Sequence, residues 1–244
     1  MKDLNKTVKM GRRLQQIEQM ISKQYTHIWD CCCDHGLLGF SLLNAQAAQT
    51  IHFVDVVPEL LKQIEQILQK HWQGREQSWQ VHCIDAGKLP FKAFSSNPQT
   101  DKHLVIIAGV GGDLMIELLQ SQQRLSVDYH VEYILCPVHH NYKVRQFLIA
   151  NHFALLDEAL VFENKRGYEV LHVSLDAVRP LSLVGSIMWD FNNPLHIDYL
   201  QKTNAHYQRI AKNPSIDVTS IINQYQQLVS RSLAPRGNAY TDKR

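Results

Sequence analysis

Three acids in this chain stand where apolar runs end. Asp30 closes Ile28-Trp29-Asp30, Asp55 closes Ile51-His52-Phe53-Val54-Asp55, and Asp85 closes Val81-His82-Cys83-Ile84-Asp85. A carboxylate at the carboxyl end of a β-strand accepts hydrogen bonds from vicinal hydroxyls or an amine, which is how doubly wound α/β folds grip a nucleoside. One such acid alone is usually a solvated loop residue; three at successive strand ends point to a ligand. Asp30 is placed to accept from a backbone amide, or through water from a ligand amine. Asp55 is placed to take both ribose hydroxyls, and Asp85, followed by Ala86, to receive a nucleobase amine. Between the first two acids runs Cys31-Cys32-Cys33-Asp34-His35-Gly36, with Cys32 and Cys33 where such turns usually carry glycine. Gly36 lets the next helix begin close to the ligand.

A second constellation is Ile106-Ile107-Ala108-Gly109-Val110-Gly111-Gly112-Asp113. A plain strand-to-helix turn explains one glycine; Gly109, Gly111 and Gly112 together leave backbone room for a flat base or a sulfonium methyl. The segment has neither the lysine nor the hydroxyl of a P-loop, and as G-x-G-x-x-G it fails at Leu114. Asp34-His35 and His139-His140, with Pro137 shaping the latter loop, are the candidate substrate-side residues. The 13 histidines suggest a metal, but there is no Cys-x-x-Cys pair and no His-Glu-x-x-His, so no metal site is expected. The triple cysteine reads as a small packed turn with Cys31 directed into the sheet.

These residues need a frame, and the apolar patterning supplies one. Strand-like runs at 27–32, 50–56, 79–84, 103–108 and 132–136 alternate with helical patterns at 37–47, 59–71, 113–123 and 142–151, which implies right-handed βαβ units and a parallel sheet. Two further strands, 153–162 and 168–174, are separated only by Glu163-Asn164-Lys165-Arg166-Gly167. So short a link makes an antiparallel hairpin, because a parallel crossover needs a dozen or more residues. Five parallel strands closed by such a hairpin describe a Rossmann-like, seven-stranded class I methyltransferase sheet better than a dehydrogenase. Residues 1–180 are assigned to this domain. Beyond it, Asn193-Pro194 starts a helix that Asn213-Pro214 stops, and a second helix from about Asp217 puts Ile222, Tyr225, Val229 and Leu233 on one face. Residues 181–244 therefore read as a C-terminal helical hairpin. Ahead of the sheet, Met10, Leu14, Ile17 and Ile21 form the apolar face of a helix whose other face carries Lys2, Lys6, Lys9 and Arg13.

Composition agrees with a globular chain. Of 244 residues, 45% are apolar and 20% charged, and the formal net charge of +2 is too small to demand a polyanion by itself. Five cysteines, three of them consecutive, make no disulfide framework. No run approaches the ~20 apolar residues of a membrane span, and the reading is a cytoplasmic protein with no membrane partner and no obligate protein partner.

The residues resemble a known family, the bacterial tRNA adenine N1-methyltransferases of the TrmK type, which modify adenine at position 22. The resemblance runs over nearly the whole chain. It is carried by Arg13-Leu14, the Asp-x-x-x-Asp-His turn from Asp30 to His35, and the Ile-Ala-Gly-x-Gly-Gly element from Ile107 to Gly112. Pro137, Arg145, Glu158, Glu163 and Tyr168-Glu169 complete it. The chain departs from the pattern at Cys32-Cys33, where Gly-Ser is usual, and at Cys136-Pro137-Val138, where Gln-Pro-Asn is common. The resemblance implies an S-adenosyl-L-methionine cofactor held by Arg13, Asp30, Cys32, Gly36, Asp55, Asp85, Ala86, Ala108, Gly109, Gly111 and Gly112. It implies Asp34, His35 and His139 at the chemistry, and tRNA as the partner. Expected phosphate contacts are the basic first-helix face with Lys202, Arg209, Lys212, Arg231 and Arg236. Tyr142 is a candidate to hold an unstacked base. Two other readings stay open on the same scaffold: a methyltransferase acting on another nucleic acid or a small molecule, and a nucleic-acid-binding relative without catalysis.

Overall fold

The structure, a computed structural model, describes residues 10–21, 25–126 and 128–233. Contacts divide the chain into two compact units, 1–188 and 189–244. The first unit contains α1 (Arg12–Gln19), β1 (Tyr25–Cys31), α2 (Leu37–Ala45), β2 (Ala48–Asp55), α3 (Pro58–His71) and β3 (Trp79–Cys83). It continues with α4 (Phe91–Phe94), β4 (Lys102–Ala108), α5 (Gly112–Gln123), β5 (His130–Cys136), α6 (Asn141–Ala150), β6 (Ala154–Glu163) and β7 (Arg166–Ser174). The seven strands form one sheet in the order β3-β2-β1-β4-β5-β7-β6. β1 to β5 pair in parallel, whereas β7 lies antiparallel to both β5 and β6. The order reverses between β1 and β4, so the loops after those two strands face each other across the crevice where open α/β sheets bind ligands.

Strand residues alternate between two apolar cores, one on each face of the sheet. Ile28, Ile51, Phe53, Leu104 and Ile106 pack with Leu38 and Leu42 of α2, and with Leu61, Ile64 and Leu68 of α3. Trp29, Cys31, Val54, Val105 and Ile107 pack with Phe91 of α4, Met115 and Leu119 of α5, and Val144 and Leu148 of α6. Burial on both faces is why these strands read as continuous apolar runs. The apolar face of α1 joins the first core through buried Ile17, with Met10, Leu14 and Ile21 packed around it. Leu181, Val184 and Met188 are buried in the first unit, so residues 181–188, assigned from the sequence to the extension, group with the sheet domain.

The second unit is a helical hairpin of α7 (Pro194–Ile210) and α8 (Thr219–Leu233). Asn193 caps α7 by accepting from the Leu195 amide at 3.0 Å, with Pro194 in the first turn. Tyr207 and Tyr225 stack between the helices with centroids 5.7 Å apart. Among the described residues, no helix is long and apolar enough to cross a membrane.

Candidate active site

At the carboxyl ends of β1 and β4 lies a cavity of about 300 Å³ lined by Arg13, Asp30, Cys32, Asp34, His35, Ala108 and Gly109, among others. Seven residues singled out from the sequence therefore share one cavity. Gly36, Asp55, Asp85, Ala86, Gly111, Gly112 and His139 are not among its lining residues.

The turn after β1 is built from left-handed residues at alternate positions, Cys32 (φ 57°), Asp34 (φ 51°) and Gly36 (φ 70°). Gly36 suits its place for two reasons, that backbone and its packing. A Cβ there would meet Ile64 Cδ1 at 3.0 Å and Phe53 Cε1 at 3.2 Å, so this glycine seats the turn on the core and not on the cavity. Asp30 is buried, and its carboxylate accepts from the Gly39 amide at 3.0 Å, tying the end of β1 to the first turn of α2. Burial pushes the Asp30 carboxyl up to about 7.

Asp55 organises two loops at once. One oxygen accepts from the amides of Val56 and Val57 at 2.8 and 3.1 Å, and the other from the amide of Asp34 at 3.1 Å. Three of about four acceptor sites on the carboxylate are thus engaged by backbone. Asp85 caps the short turn that follows it, accepting from the Gly87 amide at 2.8 Å, while the buried Ala86 carbonyl accepts from Gln122 at 2.7 Å. Burial, then the charges of Asp55, Asp30 and Asp85, push the Cys32 thiol up to about 11. The three strand-end acids thus act together on this turn even though only Asp30 lines the cavity. At neutral pH Cys32 is a neutral thiol and no nucleophile.

Arg13 comes to the cavity from α1. Its guanidinium lies over the Tyr168 ring at 5.1 Å and near Gly109, where a Cβ would stand 3.8 Å from one terminal nitrogen. Its Nε is buried and has no hydrogen-bond partner among the described residues. Gly109 has φ 86°, a conformation that glycine adopts freely, and its amide donates to the Cys136 carbonyl at 3.2 Å. The Val138 amide donates to the Val110 carbonyl at 2.9 Å, so the loop after β5 runs beside the loop after β4. Gly112 allows the same approach: a Cβ there would stand 2.8 Å from the His139 carbonyl oxygen. His35 and Asp34 are mostly exposed and 3.6 Å apart.

Two expectations need correcting. Tyr142 is buried at 6% exposure, so it cannot stack on an incoming base. Arg13, expected both on the basic face of the first helix and at the cofactor, lines the cavity and is not part of an exposed basic face. Lys2, Lys6, Lys9, Arg236 and the Arg231 side chain lie outside the described residues. Lys202, Arg209 and Lys212 are exposed in the second unit, Lys202 pairing with Asp198 at 2.7 Å. Sequence reasoning gave Tyr168 no role at the site; its place beside Glu169 in the closing hairpin was the available signal. Among the described residues no group of three or more His, Cys, Asp or Glu side chains is arranged to hold a metal ion.

A family model described as a methyltransferase domain matches residues 10–171. The chain belongs to this methyltransferase domain family. The matched span takes in both loops of the crevice and most of the closing hairpin. No curated protein matches the sequence. Among solved structures, this methyltransferase is similar to the B. subtilis m1A22 tRNA methyltransferase TrmK, at 20% identity over 93% of this chain and 95% of that one, with a TM-score of 0.66. It is also similar to M. capricolum TrmK in complex with S-adenosyl-homocysteine, at 16% identity over 91% and 96% of the two chains, TM-score 0.66. A protein of the NADB-Rossmann superfamily from Streptococcus agalactiae gives 18% identity over 94% and 100%, TM-score 0.70. The methyltransferase fold with its terminal antiparallel hairpin is the one expected from the strand pattern.

Proposed function

We propose that this methyltransferase transfers a methyl group from S-adenosylmethionine to N1 of an adenine in tRNA, at the position-22 adenine that its structural relatives are named for. The observation that carries the reading is the acid-lined cavity at the β1 and β4 ends, with one buried guanidinium nitrogen that has no partner among the described residues. This donor set fits a zwitterionic sulfonium nucleoside: Arg13 suits a carboxylate, the Asp30, Asp34 and Asp55 field suits an amine and a sulfonium, and Ala108 with Gly109 leaves room for a methyl. Asp55 keeps one acceptor site for a ribose hydroxyl, and Asp85 suits an adenine amine. When bound, S-adenosylmethionine supplies an electrophilic methyl carbon.

The protein's own contribution is orientation. Adenine N1 carries its own lone pair, so no general base is needed to create the nucleophile; alignment and exclusion of water supply most of the catalysis. Positive charge develops on the base as N1 is alkylated. Asp34, exposed at the mouth of the cavity and held through its amide to Asp55, is the carboxylate suited to accept from the adenine amine and to stabilise that charge. His35 beside it can hold the Asp34 carboxylate in place.

Unmodified tRNA incubated with the protein and labelled cofactor, followed by reverse-transcriptase mapping, tests the reading. A stop at adenine 22 is expected; label at an exocyclic amine or on cytosine would sink the N1 assignment. Asp34→Asn should lower kcat by about 10²-fold while cofactor affinity, read by calorimetry, changes little.

A further inference from the structure

Gly111 is a glycine without a backbone reason. Its φ of −70° and ψ of 154° are extended values that any residue adopts. Its Cα instead carries the His139 ring: a Cβ at Gly111 would lie 2.5 Å from His139 Cε1 and 2.8 Å from Nε2. The missing side chain makes a floor for an imidazole.

That imidazole has no structural employment of its own. His139 is exposed, and its ring nitrogens make no hydrogen bond among the described residues; its one ring neighbour is His140, at 4.4 Å and 65°. His140 in turn is fixed. It sits in the left-handed region at φ 61°, its Nδ1 is 2.8 Å from Asp113 Oδ2, and Asp113 also binds Lys143. The Val138 to Val110 hydrogen bond sets this loop beside the cavity wall formed by Ala108, Gly109 and Val110. A flat, exposed ring is thus braced on one side by His140, seated on glycine, and placed at the edge of the crevice, while Tyr142 is buried.

We infer that His139 is the platform on which the acceptor adenine stacks, and that Gly111 is glycine in order to seat that ring. This rests on the tRNA adenine reading. Base stacking on a ring needs a π face and no hydrogen bond, and truncation of such a platform typically weakens binding five- to hundredfold. Phenylalanine preserves the face and alanine removes it. Gly111→Ala leaves the backbone unstrained and displaces only the ring.

Two readouts on the full-length protein test this. The first is kcat/KM for methylation of a tRNA transcript. His139→Ala is expected to lower it roughly 10- to 100-fold, chiefly through KM, and His139→Phe to restore most of the loss. Gly111→Ala should mimic His139→Ala in the parent and add nothing in the His139→Ala background, since its effect runs through the ring. The second is fluorescence of a transcript with 2-aminopurine in place of adenine 22, bound in the presence of S-adenosylhomocysteine. Quenching is expected with the parent and His139→Phe and is lost with His139→Ala. Methylation by the parent with His139→Ala equally active and equally quenching would overturn the platform and leave the tRNA reading standing. So would His139→Phe failing where His139→Gln succeeds, which would mark a hydrogen-bonding role. If the parent methylates no tRNA, the functional reading falls, and the platform stands only if quenching still follows the ring at position 139.

Discussion

At the scale of single residues, the cavity is governed by who keeps a charge. Cys32 lines it with a thiol that burial, and then the charges of Asp55, Asp30 and Asp85, push up to about 11, so at pH 7 only about one part in 10⁴ is thiolate. Cys31, Cys33 and Cys136 are buried with thiols pushed above their ordinary range, first by burial, whereas Cys83 is exposed. Alkylation of the folded protein with iodoacetamide at pH 7, followed by peptide mass spectrometry, should therefore modify Cys83 first and leave the triple cysteine untouched until unfolding. Rapid labelling of Cys32 would contradict the burial and the acid charges that keep its thiol neutral. The acids themselves were legible in the sequence, because a carboxylate at the end of an apolar run is a local signal. Their partners were not. That the second Asp55 oxygen goes to the Asp34 amide depends on two loops meeting, and that Gly36 answers to Ile64 of α3 and Phe53 of β2 depends on how helix and sheet pack. The burial of Tyr142 was not written in the apolar pattern of α6, because Val144 and Leu148, which meet the sheet, lie on a different side of that helix.

At the scale of elements, the closing hairpin was legible because so few residues join its strands, and a short link admits only one pairing. Less visible was why Arg145, Glu158 and Glu169 recur together in the motif. Arg145 on α6 is wholly buried; its Nε donates to Glu169 of β7 at 2.8 Å, and Nη1 lies 2.8 Å from Glu158 of β6 and 3.0 Å from the Ser182 carbonyl. Glu158 also accepts from the Ser186 hydroxyl at 2.8 Å and the Ile187 amide at 2.7 Å. Burial pushes the Glu158 carboxyl up, but Arg145 and the Ser186 amide outweigh it and hold it below the usual range. The cluster therefore ties a helix, two strands and the segment 182–188 at one point, and α6 begins immediately after the His139-His140 loop. Arg145→Met should cost about 3–5 kcal/mol in urea unfolding, because it leaves two carboxylates buried without their cation. Glu158→Gln keeps an acceptor for the 186–187 segment and should cost less. Equal stability of Arg145→Met and the parent would mean that the ion cluster contributes nothing to holding these elements.

At the scale of the whole molecule, acid should be the condition that undoes the fold, and the reason is a file of imidazoles inside it. His27 Nδ1 is 3.0 Å from His52 Nε2, and His52 Nδ1 is 2.9 Å from His82 Nε2, while Trp29 stacks on His52 with centroids 3.7 Å apart. A neutral imidazole donates from one nitrogen and accepts at the other, so in this file each ring is neutral and has its tautomer set by the next. Trp29 donates to His103 Nδ1 at 3.2 Å, which sets the fourth ring. Burial, first among the causes, lowers all four; His103 falls to about 4 and His52 lies well below its ordinary value. Below about pH 6.5 the unfolded chain binds protons at these sites that the folded chain refuses, so stability is lost as pH falls from there through the folded values. Asp30 works in the opposite sense. Its folded value of about 7 lies above the ordinary 3.8, so the folded state holds the extra proton and gains stability as pH falls from 7 toward 4. Four depressed histidines outweigh one raised carboxyl, and the net expectation is a urea midpoint that drops between pH 6.5 and 5. Asp30→Asn separates the two terms. An asparagine still accepts from Gly39 but cannot ionise, so at pH 8 the variant should exceed the parent in stability, by up to about 4 kcal/mol. At pH 4, where the parent carboxyl is also neutral, the two should converge while both show the histidine loss. A parent as stable at pH 5 as at pH 7.5 would mean that these rings accept protons inside the fold and that the neutral file is not the folded state.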